Sequence, residues 1–512
     1  MNNQKWGNMS DADFEALLES SILQLPPEDI VAEVTPWKKS IKRVLAGMVL
    51  TAVTLNFLCL NYILPTIGTI LSLLGFRTLQ NENKWFKSCF AVSVIRVVYF
   101  FPSLIINTTI IQGAVNSSAI SSALTIIHLL LMLTQFVCLW RGFISVQKKA
   151  GIPPHAKGAV MLIVWYALIC LLALVQYSGP IIALGMLIGY YFIIRSLYKL
   201  SKELDEAGYV IRTVPIKITD KFIVTSLASF LMIGFVCGYV FGGSYPMKWV
   251  ALDPGEHNEA EDIKGHLTSL GFPRYVLDDL SAQDIMACDG ALKVVVDVTD
   301  ESVNNGRVET ETYQSGNKEH ISRKTVYDVK ELRITGVGVQ IPGDPEHWII
   351  IHHFLWTTDP GFYGTESIQL WPTYDGIPEG WRSLGDVTGR ILYDDDEGTF
   401  AADYYSLGLQ SYVSNDFPFA GRANNDVFAA FSMPRKGYNH RGYLMYPVEA
   451  VQPGYLLSSW FNYTHQRSPF QYPVMTAIEK RMSTGWNGAG AFKTVQDALQ
   501  FYPANEGNKL IS

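Results

Sequence analysis

VLAGMVLTAVTLNFLCLNYILPTIGTILSLLGF, residues 44–76, runs for 33 residues without a charge. As a single helix it would rise roughly 50 Å, at about 1.5 Å per residue, which exceeds a hydrocarbon layer of about 30 Å. Asn61, Tyr62 and Pro65 lie near its middle. The run therefore reads either as one long kinked helix or as a tight hairpin of two short spans. Further apolar runs follow at about 88–111, 119–144, 159–178, 180–198 and 222–243.

Charge decides between the two readings. A hairpin puts Lys38, Lys39, Lys42 and Arg43 on the same side as Arg77, Lys84 and Lys87. Arg141, Lys148, Lys149, Lys157 and the cations between Lys199 and Lys221 join them. The opposite loops, near 61–65, 112–118 and 177–180, carry no Lys or Arg. A single span would move most of these cations outside, against the positive-inside rule. The expectation is a polytopic α-helical domain in the cell membrane with seven spans, at about 44–61, 63–78, 88–111, 119–144, 159–178, 180–198 and 222–243. The N-terminus is then cytoplasmic. Trp37, Trp85, Trp140 and Tyr198 fall at the cytoplasmic ends, as interfacial aromatics do.

The two halves of the chain differ in charge. Residues 1–243 hold 19 of the 40 Lys+Arg and 12 of the 47 Asp+Glu, a balance of +7, and residues 244–512 carry −14. A basic apolar half followed by an acidic polar half indicates a membrane domain and an extracytoplasmic, water-facing domain. The acidic half has no uniformly basic face, which argues against a nucleic-acid partner. Of the six cysteines, Cys59, Cys89, Cys138, Cys170 and Cys237 lie in apolar runs and only Cys288 lies beyond them. No disulfide can form within the acidic half. At about 269 residues it is large enough to be stable through its core. The start of the chain is acidic, and 43 residues precede the first apolar run, unlike a signal peptide.

Residues 1–43 form a cytoplasmic amphipathic tail. Ser10 and Asp13 open a helix in the manner of a capping box, and Phe14, Leu17, Leu18 and Ile22 follow at helical spacing. Pro26 stops this helix and Pro27 can begin another, with Ile30, Val31 and Val34 as its stripe. Neither is long enough to be stable alone in water. Both can pack on the membrane domain, or they can serve as a helix-in-groove element for a cytosolic protein at residues 10–36.

No span contains a carboxylate, which argues against a proton- or sodium-coupled carrier. Arg96 is the one cation well inside a span. It lies about two turns from Ser88, roughly 12 Å by helical rise, so it can snorkel to the inner interface. Alternatively it is a buried cation meeting Asn56, Asn61, Gln135 or an anionic lipid. His128 is a lone histidine on an apolar helix. Gly185 and Gly189 give a GxxxG suited to close helix contact.

Residues 244–290 read as a small helical collar, with Gly271 as a stop and Ser281 and Asp284 as a capping box. From residue 291 onward about ten runs rich in Val, Ile, Tyr, Phe and Trp alternate with Gly, Pro, Asn and Asp clusters. They predict an antiparallel β-sandwich or barrel. PVMTAIEKRMS and FKTVQDALQFY read as terminal helices. His347, His352 and His353 crowd one strand, but adjacent strand residues face opposite ways, so His352 and His353 cannot share an ion. Asp394, Asp395, Asp396 and Glu397 form a candidate cation loop, read primarily as a solvated hairpin turn because it lacks the alternating spacing of an EF-hand. Arg435, Lys436, His440 and Arg441 read as an exposed basic hairpin loop or as an anion contact. The tryptophans suit a β core, or a face that stacks on glycans.

There is no GxSxG, HExxH or glycine-rich phosphate loop. No enzyme activity, metal or cofactor is expected. The leading expectation is a membrane-embedded sensor or regulator, in which an outer β-domain is coupled through the tail to a cytosolic partner. The layout resembles that of bacterial membrane-bound anti-sigma factors, in plan and not in motif. The alternatives are a membrane-anchored module acting on an extracellular ligand or glycan, and a transporter or channel with an outer cap.

Overall fold

The computed structural model describes residues 36–503 apart from 53–54, 56–57, 118, 176–178, 212–217, 254, 305–306, 316–317, 327–329, 372–379, 415–421 and 484–488. The chain forms two compact units: residues 1–105 with 115–234, and residues 106–114 with 235–512.

The first unit is helical. The helices are α1 (Pro36–Ala52), α2 (Leu60–Leu79) and α3 (Lys84–Ile106), then a short α4 (Ile111–Ser117), α5 (Ala119–Lys149), α6 (Lys157–Leu174), α7 (Pro180–Glu206) and α8 (Asp220–Phe241); the start of α4 and the end of α8 belong to the second unit. Five stretches are long and apolar enough to cross a membrane: Leu60–Leu79, Lys84–Ile106, Ser121–Lys149, Ile181–Glu206 and Asp220–Phe241. Lys157–Ala173 is apolar but shorter, and α1 carries four cations in its first half. The opening charge-free run thus becomes two helices. The break falls at Leu58 and Cys59, whose φ values of 49° and 57° are left-handed, ahead of the Asn61–Pro65 stretch. Pro65 sits inside α2, where it removes one backbone donor.

α1 and α2 pack closely because small residues face each other. A Cβ at Gly47 would lie 2.6 Å from the Gly68 carbonyl oxygen, and one at Gly68 would lie 2.7 Å from that of Gly47. At Gly75 it would lie 2.8 Å from the Ser40 carbonyl oxygen. The GxxxG pattern singled out in α7 does not make such a contact. A Cβ at Gly185 would meet nothing described within 4 Å, and one at Gly189 would only reach Trp165 at 4.0 Å. Small residues permit close approach without compelling it.

One end of this unit gathers the charged groups. Asp220, at the start of α8, accepts from Arg43 Nη1 at 2.6 Å and from Arg77 Nη1 at 3.1 Å. Glu82 takes Lys149, and the Tyr209 hydroxyl donates to it at 2.6 Å. His155 pairs with Glu203 at 2.7 Å. Trp37 is fully buried there, with its ring against Phe86, Phe143 and Tyr209. The predicted tail residues Phe14, Leu17, Leu18, Ile22, Ile30, Val31 and Val34 lie outside the described residues.

The second unit is an antiparallel β structure. Its strands are β1 (Val250–Ala251), β2 (Lys293–Ser302), β3 (Arg307–Ser315), β4 (Lys318–Val326), β5 (Glu331–Ile341), β6 (His347–Trp356), β7 (Glu366–Trp371), β8 (Trp381–Ser383), β9 (Thr388–Asp395), β10 (Gly398–Asp403), β11 (Ser406–Ser414), β12 (Arg422–Phe431), β13 (Tyr438–Ala450), β14 (Leu457–Gln466) and β15 (Phe492–Phe501). One sheet has the order β1-β10-β9-β13-β6-β5-β2, with β8 beside β13. A second has the order β11-β12-β7-β14-β15, and β3 and β4 form a separate pair. Alternation builds the layers. Trp348, Ile350 and Phe354 of β6 meet Ile368, Leu370, Phe461 and Tyr463 of the second sheet in one core. Ile349 and Ile351 point the other way, into a second core with the collar.

The collar is α9 (Glu261–Ser269), α10 (Arg274–Leu277) and α11 (Ala282–Ala287). Ser281 caps α11 by accepting from Asp284 N at 3.1 Å. A last short helix, α12 (Ala477–Met482), carries a full capping box from Thr476 and Glu479.

One expectation is overturned at the end of the chain. FKTVQDALQF is not a helix but β15, paired in register with β14 from Leu457↔Phe501 to Gln466↔Phe492. Phe492, Val495 and Leu499 have helical spacing, a pattern that a helix and a strand can both carry here. Burial instead follows the strand through Val495, Leu499 and Phe501, which join the inter-sheet core. Gly336 and Gly338 on β5 leave the space that Leu499 and Phe501 fill.

Candidate functional site

Away from the charged end of the helical unit, Gln135 and Ser93 form a polar network with Arg96. This residue is on α3 and only 7% exposed. Its Nη1 donates to Gln135 Oε1, on α5, at 2.9 Å. Gln135 is 4% exposed, and its Nε2 donates to Ser93 Oγ at 3.2 Å. Ser93 in turn donates to the Cys89 carbonyl at 2.9 Å. Arg96 therefore points inward to a neutral amide rather than along the helix to the interface.

A neutral amide cannot compensate a guanidinium. Arg96 Nε is buried without an acceptor, and among the described residues Arg96 makes no ion pair. The arginine lies between two hollows. One, of about 190 Å³, is lined by Arg96, His128 and Gln135 with Phe76, Trp165 and Tyr190 among its apolar walls. The other, of about 290 Å³, is lined by Arg96, His128, Thr51, Thr69 and Tyr99. His128 borders both, and its Nδ1 is also buried without a partner. A buried cation without a counter-ion is costly. Its planar fork of donors suits carboxylate or phosphate oxygens. The arrangement therefore favours an anion beside Arg96, with His128 as a second hydrogen-bonding group.

Of the other polar residues expected within the spans, Asn61 is half-buried at the start of α2 and lines neither hollow. Asn56 lies outside the described residues.

The sheet unit uses its polar residues on itself. His352 and His353 do face opposite ways. His352 bonds Ser459 Oγ at 2.6 Å and stacks on Phe461, towards the second sheet. His353 bonds Asp279 Oδ2 at 2.8 Å, towards the collar. Asp394, Asp395, Asp396 and Glu397 form the β9–β10 turn. Asp394 accepts from Thr399 and Asn439 at 2.9 Å each and pairs with Arg441, also at 2.9 Å. Asp395 takes Glu397 N at 2.8 Å and Lys436 at 3.3 Å. Among the described residues no group of three or more His, Cys, Asp or Glu side chains is arranged to hold a metal ion.

The basic stretch Arg435–Arg441 is not a uniform exposed loop. His440 is fully buried against Phe362 and Tyr393, and Arg441 turns in to Asp279. Trp348, Trp356 and Trp381 are core residues. Trp371 and Trp460 stack on each other at 5.6 Å across β7 and β14.

Sequence alone could nominate Arg96, His128 and Gln135 individually, as rare polar groups in apolar helices. It offered Gln135 as one of several partners for Arg96 and could not choose among them, because the two stand 39 positions apart. No family model and no curated protein matches the sequence. A solved structure described as "Pore forming protein" aligns over 38% of this chain and 95% of that chain, at 9% identity and a TM-score of 0.16, a likeness too slight to carry an argument.

Proposed function

We propose that this is a multi-pass membrane protein whose helical unit binds an anion at Arg96, and whose two-sheet unit lies on the extracytoplasmic side. The observation that carries the proposal is the buried Arg96 guanidinium, with Nε unpartnered between two hollows, the neutral Gln135 as its hydrogen-bond acceptor and no ion pair among the described residues. This develops the transporter or channel alternative, because acid-free spans disfavour cations and the arginine favours anions.

Seven spans follow if α1 and α6 cross the membrane along with the five longer helices. The gathering of Arg43, Arg77, Lys149 and His155 at one end supports a cytoplasmic basic face. The charge-free loop after α3 belongs to the sheet unit: Asn107 O accepts from Val474 N at 2.7 Å, and Gln112 Nε2 donates to Val474 O at 2.9 Å. This supports an outer placement for that unit.

The test is thermal unfolding of the full-length protein in nanodiscs, titrated with phosphate, sulfate and a short-chain carboxylate at constant ionic strength. An anion binding the native state stabilises it by about 2.7 kcal/mol at a hundred times its dissociation constant. Arg96→Gln is expected to abolish that shift. No shift with any of the three anions, or an equal shift in Arg96→Gln, would refute the proposal.

A regulatory reading stands beside it. Trp37, buried under Phe86, Phe143 and Tyr209, anchors the chain where the tail leaves it, so the tail is tethered at the basic end. Capture of a cytosolic protein by the full-length chain, lost on deleting residues 10–36, is the expected result. Equal capture by the deletion variant would remove this reading.

A further inference from the structure

α1 has two working faces. Met48, Thr51 and Ala52 line the hollow beside Arg96, while Lys42, Leu45, Ala46 and Val49 line an open groove against α7. The groove, of about 500 Å³, is completed by Tyr191, Ile194, Arg195 and Tyr198. The Tyr190 hydroxyl on α7 donates to the Met48 carbonyl on α1 at 2.8 Å, which pins the two helices together behind the groove.

The groove is graded along its length. Lys42 and Arg195 are both exposed on its wall, and neither makes an ion pair among the described residues. Neighbouring charges are used elsewhere: Arg43 turns to Asp220, and Lys202 pairs with Glu206 at 3.2 Å. On α7 the first acid past Arg195 is Glu203, eight residues and about 12 Å along the helix, and it pairs with His155; Asp205 beyond it feels the charges of Lys38 and Lys42 without forming an ion pair among the described residues. From Lys42 the apolar positions Leu45 and Val49 descend about 10 Å, with Ile194 opposite. Two exposed tyrosines, Tyr191 at 61% and Tyr198 at 47%, border it, as amphipathic rings do at a membrane interface.

We infer that this groove binds one anionic phospholipid, with the headgroup phosphate held by Lys42 and Arg195 and an acyl chain lying along Leu45, Val49 and Ile194. Charge complementarity selects the occupant: two exposed cations above an apolar trough match a phosphate above a hydrocarbon chain. The inference rests on the multi-pass reading of the helical unit but not on the anion site at Arg96, from which the Tyr190–Met48 contact separates it.

Native mass spectrometry of the full-length protein, released from nanodiscs containing equal phosphatidylglycerol and phosphatidylcholine, tests it. The wild type is expected to retain one phosphatidylglycerol in preference to phosphatidylcholine. Lys42→Gln and Arg195→Gln should each weaken that preference roughly five-fold, and the double variant about thirty-fold. Both positions are exposed, and a near-UV circular dichroism spectrum like the wild type's confirms that the variants fold. Arg96→Gln should leave the preference intact, which separates this site from the anion cavity. Equal retention of the two lipids by the wild type, or an unchanged preference in the double variant, overturns the inference. So does a preference that emerges only when residues 1–35 are deleted, because the chain's own acidic tail would then be the occupant.

Discussion

Arg441 Nε donates to Asp279 Oδ1 at 2.7 Å, although the two residues stand 162 positions apart. Asp279, at the end of α10, is 3% exposed. Its other oxygen accepts from His353 Nε2 at 2.8 Å, and Arg441 Nη1 continues to Asp394 at 2.9 Å. One carboxylate thus ties the collar to β6 and β13, and through Arg441 to the β9–β10 turn.

Asp279→Ala leaves a buried arginine and a buried histidine without their shared acceptor. Breaking a buried ion pair from one side typically costs about 3–5 kcal/mol. Chemical denaturation of the full-length protein in detergent, followed by tryptophan fluorescence, should show a loss of that order. A loss within experimental error would mean that the collar is held by its apolar core alone.

The same carboxylate sets an acid limit. Burial pushes the Asp279 carboxyl up, but the hydrogen bond from His353 and the charge of Arg441 outweigh it and hold it below the usual carboxylate range. A carboxylate depressed in the folded state contributes stability that is fully present above its unfolded value of about 4. That contribution is lost as pH falls through the lower, folded value. Melting temperatures recorded between pH 6 and pH 3 should fall at the acid end, and the fall should be shallower in Asp279→Asn. Parallel curves for the two proteins would count against this assignment.

Tyr443 is a second tie between β13 and the collar. It is fully buried, and its hydroxyl donates to Asp284 Oδ2 at 2.5 Å and accepts from Ser281 N at 2.9 Å. Tyr443→Phe keeps the ring and removes both bonds at the cap of α11. Leaving buried polar groups unsatisfied costs about 1–3 kcal/mol. Hydrogen exchange is expected to rise selectively across residues 281–288, and uniform protection there would contradict the expected loosening.

In the helical unit, Gly68→Leu forces α2 away from α1, where a Cβ already meets the Gly47 carbonyl oxygen at 2.7 Å. Overpacking of this kind costs about 1–3 kcal/mol. Gly185→Leu, with nothing described within 4 Å of its Cβ, should be close to neutral. A detergent melt that ranked the two the other way would refute the α1–α2 contact.

Much of the fold was legible from local pattern. Long charge-free runs become helices because lipid-length apolar stretches have one way to satisfy their backbone. The alternation of HWIIIHHFLW becomes β6 with His352 and His353 on opposite faces. The Ser281 cap was readable because its bonds are made within one turn. What failed had two compatible periods or no local partner. Phe492, Val495 and Leu499 fit helical spacing as well as they fit a strand edge, and β14, not residues 492–501, settles the choice. Arg435–Arg441 looks like one basic patch, but its fate depends on Asp279 and Asp394, which are remote in sequence.

The candidate site divides in the same way. The sequence by itself determined that Arg96 is the lone cation deep in an acid-free apolar stretch, because charge and hydropathy are properties of the segment. Only the tertiary structure decided that it meets Gln135 and Ser93, faces two hollows and keeps one N–H without an acceptor. A side chain's partner depends on which helix packs beside it, and that is set by the shape of whole faces, such as the glycines of α1 and α2, rather than by any residue's own neighbours in the chain.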